Sequence, residues 1–119
     1  MEKNFESMPN KQFAYSCLQL IASNNKLDAS VMNILTNEDE CRERFQCSGK
    51  LAVLKEVPLK CCDEELTTYC YDRNGRQRYY KEQIFVIGKA YVVTNHWYGP
   101  DKTMPENRTP FLMWIKSKI

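Results

Sequence analysis

Residues 69–93 read YCYDRNGRQRYYKEQIFVIGKAYVV. Tyrosine, isoleucine, phenylalanine and valine alternate with polar residues here, and two glycine-containing pairs, Asn74-Gly75 and Gly88-Lys89, break the run. Aromatic and β-branched residues bounded by such pairs are the pattern of hairpin strands. LTTYCY (66–71) is expected to run into an Asn74-Gly75 type I′ turn, where both positions accept positive φ. RQRYYKEQIFVI (76–87) is the expected return strand. Gly88-Lys89 fits a type II′ turn between Ile87 and Ala90, and AYVVTNHWY (90–98) is the third strand. The pattern therefore predicts a three-stranded antiparallel β-meander. LAVLKEV (51–57) offers a further short strand before Pro58.

Upstream the period changes from two to that of a helix. Phe13, Cys17, Leu20 and Ile21 share one face of a helix that Asn10 is placed to cap. Leu27, Val31, Ile34 and Leu35 mark a second, shorter helix after Asp28. In TNEDECRERF (36–45), Thr36 or Asn37 caps and Asp39 or Glu40 closes a capping box. Cys41 and Phe45 point inward, and Gly49 supplies the stop. Downstream of the proline-containing loop 99–108, Thr109 is placed to cap a last helix with Pro110 at its first position. Phe111, Trp114 and Ile115 line its buried face. The expected class is α+β: three short N-terminal helices, a three-stranded antiparallel β-meander and a C-terminal helix, an order compatible with a winged-helix-like arrangement. One domain spans 1–119, with a flexible N-terminus at 1–9, a helical part at 10–49, a strand part at 51–98 and the last helix at 109–119.

The 119 residues carry 17 Lys+Arg against 15 Asp+Glu, so no global field attracts a polyanion, and any nucleic-acid site depends on local clustering. MEKNFESMPNKQ lacks the apolar run of a signal peptide, and no window has the ~18 apolar residues of a membrane span. The expectation is a cytoplasmic protein with no membrane partner. Cys17, Cys41, Cys47, Cys61, Cys62 and Cys70 then read as reduced thiols, mostly buried. No CxxC pair occurs, and the single histidine, His96, is remote in sequence. Cys47, Cys61 or Cys62, Cys70 and His96 converge only if the fold brings them together. No metal and no cofactor is expected.

Arg73, Arg76, Arg78 and Lys81 surround the Asn-Gly turn, followed by Tyr79 and Tyr80. Arginine makes bidentate contacts with phosphate oxygens, and a projecting turn delivers it to a backbone or a narrow minor groove. The adjacent tyrosines suit stacking with single-stranded bases. The ordinary explanation is a solvated hairpin tip whose charges keep a sheet edge from pairing. NEDECRER is a poor start for a recognition helix, because Glu38, Asp39 and Glu40 face phosphates there; acids at that position serve capping and the helix dipole. CCDEEL (61–66) reads as a solvated turn or a helix cap. No phosphate-binding glycine loop, HExxH or GxSxG is present, and an enzyme is not expected.

The C-terminal stretch, RNGRQRYYKEQIFVIGKAYVVTNHWYGP followed by NRTPFLMWIKSKI, resembles a small uncharacterised bacterial module, some of whose members are linked to restriction or defence. The resemblance lies in Gly75, Arg78, Tyr79, Tyr80, Gly88, Lys89, Trp97, Tyr98, Asn107, Arg108 and Trp114, with TNEDECRERF as a preceding Cys-x-x-x-Phe segment. It covers roughly the last two-fifths of the chain. It implies a bacterial or phage origin and a defence-related setting, and no catalytic residue comes with it. From the residues themselves two functions remain open. One is a nucleic-acid module that contacts DNA through Arg73, Arg76, Arg78, Lys81, Tyr79 and Tyr80. The other is a protein-interaction module, an adaptor or inhibitor, anchored by the same hairpin or by exposed Trp97 and Tyr98.

Overall fold

A computed structural model describes residues 5–46, 51–98 and 106–119. Its class is α+β, with five α-helices and one three-stranded antiparallel sheet among the described residues. Helix α1 (Asn10–Ser23) buries Phe13, Ala14, Cys17, Leu18 and Ile21 on one stripe. Asn10 does not cap it. Pro9 occupies the cap position, and the Asn10 side chain reaches across the molecule instead: its Nδ2 donates to the Trp97 carbonyl at 3.0 Å. Helices α2 (Ala29–Leu35) and α3 (Glu38–Phe45) begin as expected, with Asp28 and Asn37 accepting the Val31 and Glu40 N–H groups. The expected capping-box carboxylates are engaged elsewhere, Asp39 with Arg42 at 2.7 Å and Glu40 with Arg44 at 2.5 Å. Helix α3 ends at Gln46 in the left-handed region (φ 59°), and the stop expected at Gly49 lies outside the described residues.

The sheet is antiparallel and three-stranded, but it is not a meander of successive strands. Strands β1 (Leu54–Val57), β2 (Tyr79–Val86) and β3 (Lys89–Thr94) lie in the order β1-β3-β2. The strand expected at 66–71 is instead α4 (Asp63–Cys70). Asp63, Glu64 and Glu65 fill its first turn, where the helix dipole favours acids. Leu66 and Cys70, one turn apart, are its buried pair. These local terms outweigh the strand preference of Thr67, Thr68 and Tyr69. The LAVLKEV segment supplies the third strand, pairing Leu54 with Val93 and Val57 with Ala90.

Each face of the sheet has its own cover. Leu54, Val86, Tyr91 and Val93 belong to the core with the buried faces of α1, α2, α3 and α5 (Arg108–Ser117). Val57, Tyr79, Ala90 and Val92 meet Leu66 and Cys70 of α4 on the opposite side. At the centre of the larger core the Trp97 ring lies 4.9 Å from Phe111 and 5.7 Å from Phe13. Helix α5 begins at Arg108 rather than after Thr109, because Asn107 takes the cap position and its side chain serves a neighbouring loop. The Arg108 guanidinium lies 4.3 Å from the Phe13 ring centre and donates to the Phe5 and Met8 carbonyls. Phe5 and Met8, within the stretch expected to be a flexible N-terminus, are thus tied to the last helix. Phe5 is buried and Phe5–Ser7 form a 3-10 turn against the body.

The β2–β3 turn is displaced by one residue from the expected one. Val86 pairs with Lys89, and Ile87 and Gly88 are the central residues, at φ 51° and 76°. Two positive φ values define a type I′ turn, the form that matches strand twist. An isoleucine there is strained, since its branched Cβ crowds the backbone. The side chain is 69% exposed, so burial returns little of that cost. Ile87→Asn is expected to raise stability by about 1 kcal/mol; a urea melt that shows no gain would remove strain from this turn.

Among the described residues no helix is long and apolar enough to cross a membrane.

Candidate nucleic-acid interface

The basic turn is built around one carboxylate. Asp72 accepts the N–H groups of Asn74 at 2.9 Å and Arg76 at 3.0 Å through Oδ1, and the Arg78 Nε at 2.9 Å through Oδ2. The Gly75 N–H donates to the Asp72 carbonyl, and the Asp72 N–H to that of Arg76. Arg73 and Asn74 keep negative φ, while Gly75 sits at +80°. This is a three-residue loop closed by a glycine bulge rather than the expected type I′ turn. The Asp72 side chain decides between them, because it binds the loop N–H groups directly. The Arg76 N–H first, then the Arg78 guanidinium, holds the Asp72 carboxyl below its usual range, so it is charged at neutral pH. Tyr71 and Gln77 form an isolated bridge at the base of the loop.

The loop lies at the start of β2, opposite the Ile87–Gly88 end of the same strand. It is not the tip of the sheet's hairpin, as a wing would be.

The expected contact residues separate into groups. Arg73 and Arg76 are exposed, and among the described residues neither side chain meets a carboxylate. Arg78 is committed to Asp72 and donates from Nη1 to His96 Nε2 at 3.0 Å. Lys81 pairs with Asp63 of α4 at 3.4 Å. Tyr79 is buried, and half-buried Tyr80 packs against Tyr15. The aromatic pair expected at the surface is divided too. Trp97 is 2% exposed and donates its indole N–H to the Thr94 carbonyl at 2.7 Å, so it is core; Tyr98 alone stays half-exposed. The cause is that Trp97 follows the last residues of β3 into the space between α1 and α5.

His96 was not among the expected contacts. Because a guanidinium only donates, Nε2 must accept from Arg78, and the ring proton sits on Nδ1 near the Tyr98 hydroxyl, 3.5 Å away. Burial, then Arg78 and Arg76, lowers its pKa from the ordinary value, which keeps the ring neutral. A histidine depressed in the folded state leaves stability complete above the unfolded pKa of about 6.5. Below that pH the unfolded chain takes up the proton first, so stability falls towards the lower folded pKa. Melting temperature is expected to drop between pH 7 and 5 in the parent and less in His96→Gln; equal slopes would show that His96 does not carry the effect.

A groove of about 510 Å³ opens beside the loop, and Tyr69, Tyr71, Asp72, Arg78 and Lys55 are among its lining residues. Lys55 donates to the Tyr69 carbonyl at 3.1 Å, and its Nζ lies 5.6 and 5.5 Å from the Tyr69 and Tyr79 ring centres.

Cys17, Cys41 and Cys70 are buried, and burial pushes Cys17 up to about 12 and Cys41 to about 11. Among the described residues no group of three His, Cys, Asp or Glu side chains is positioned to hold a metal; Cys47 lies outside them.

No family model, curated protein or solved structure matches this chain.

Proposed function

We propose that this protein is a small, non-catalytic nucleic-acid-associated module that contacts the phosphate backbone through the basic turn, with Arg73 and Arg76 as its contacts. The observation that carries this reading is that, among the described residues, neither meets a carboxylate, on a loop whose backbone Asp72 holds in place. Two like charges on a pre-ordered loop lose little entropy on meeting an anion, and arginine suits phosphate. Arg78 serves as a positioning residue, since it neutralises the carboxylate that orders the loop. Lys81 is left to its pairing with Asp63. The bacterial or phage setting and the defence link implied by the resemblance form the context of the proposal.

The test is a titration against mixed-sequence double-stranded and single-stranded DNA at low and physiological salt. Arg73→Ala/Arg76→Ala is expected to weaken binding and to reduce the slope of log K against log salt by about 2, one for each phosphate that is no longer neutralised. Lys81→Ala should change neither by much. No binding by the parent at either salt would overturn the reading, and would leave the same arginines to an acidic surface on a partner protein.

A further inference from the structure

We infer that the groove beside the basic turn is a base-stacking subsite for single-stranded nucleic acid, with Tyr71 as its stacking face. The inference rests on the phosphate-contact reading of Arg73 and Arg76. Its volume, about 510 Å³, falls in the range of small-molecule sites, enough for a base and its sugar but too confined for a duplex. The lining includes Tyr71, Asp72 and Arg78, the residues from which the arginine loop springs. A strand whose phosphates lie on Arg73 and Arg76 would bring a neighbouring base to this lining, of which Tyr71 is part.

Tyr71 has the features such a face requires. It is 36% exposed, a high value for a tyrosine in a chain that buries Tyr79 and Tyr91. Its backbone is fixed by the bridge to Gln77, so the ring is presented from an ordered position. Stacking needs only a π-face and tolerates any base.

The charges of the groove agree. Asp72 is neutralised by Arg78, and Glu56 pairs with Lys89 at 3.8 Å. Lys55 has no carboxylate partner among the described residues, and Tyr69 and Tyr79 hold its ammonium in the groove lining, where it is available to a further phosphate. Glu38, the first residue of α3, is the one carboxylate of the lining that no such pair neutralises among the described residues.

The experiment compares a fluorescein-labelled oligodeoxythymidine with a mixed-sequence duplex, using the parent, Tyr71→Leu, Tyr71→Phe and Arg73→Ala/Arg76→Ala. Tyr71→Leu is expected to weaken single-strand binding roughly tenfold, leaving the salt slope and duplex binding unchanged. Tyr71→Phe should bind as the parent does. Equal single-strand affinity in parent and Tyr71→Leu, alongside a loss in the arginine variant, overturns the stacking subsite while the phosphate contacts stand. A parent that binds neither probe overturns both. Since Tyr71 lies at the surface, coincident melts establish that any loss is not unfolding.

Discussion

Trp97→Ala is expected to cost about 3–5 kcal/mol, much or all of the stability of a domain this size. The indole fills the centre of the core between Phe13 and Phe111, and its N–H satisfies the Thr94 carbonyl. Removing it opens a cavity that rigid α1 and α5 close only in part, and leaves that carbonyl without its donor. Trp97→Phe should cost less, because most of the ring volume remains. Urea unfolding of both variants checks the order. A Trp97→Ala protein as stable as the parent would mean that the indole is not core, and would return it to the role of a surface anchor.

Asn107→Ala is the second large effect, at about 2–3 kcal/mol. Asn107 is fully buried, yet both ends of its amide are used. Oδ1 accepts the Tyr98 N–H at 2.7 Å, and Nδ2 donates to the His96 carbonyl at 2.8 Å. Alanine leaves a donor and an acceptor unpaired at once. Asn107→Asp is expected to be at least as damaging despite its matching shape, since a carboxylate has no proton for the His96 carbonyl and brings a buried charge. Thermal melts at pH 7 compare the three. An aspartate variant melting with the parent would show that water reaches the site and replaces the amide bonds.

Most of the helical half was legible because one-sided apolar spacing and side-chain caps act over a few residues. Asp28 and Asn37 cap as their positions imply, and Cys41 and Phe45 face inward. Residues 66–71 misled because Thr, Thr and Tyr favour strands in isolation. The competing signal stood next to them in Asp63, Glu64 and Glu65, which make a helix start rather than a solvated turn. Asn10 and Trp97 were not legible locally. Asn10 looks like a cap and Trp97 like a strand-end aromatic, and only contacts across the chain give each its actual partner. The candidate site was legible in part. The arginine cluster was visible, but which of its members are free depends on Asp72, Asp63 and His96, and the groove depends on how α4 packs over the sheet.

The clasp of Phe5 and Asn10 with Arg108 and Trp97 has a consequence for biosynthesis. Asn10 meets Trp97 87 positions away, and Arg108 meets Phe5 across 103. No early segment can therefore bury Phe13 alone, however well α1 forms. At ordinary ribosomal rates α1 emerges roughly 5–20 s before the helix that completes its core. For that interval its apolar stripe faces water or a chaperone, and the arrival of α5 decides when this core closes.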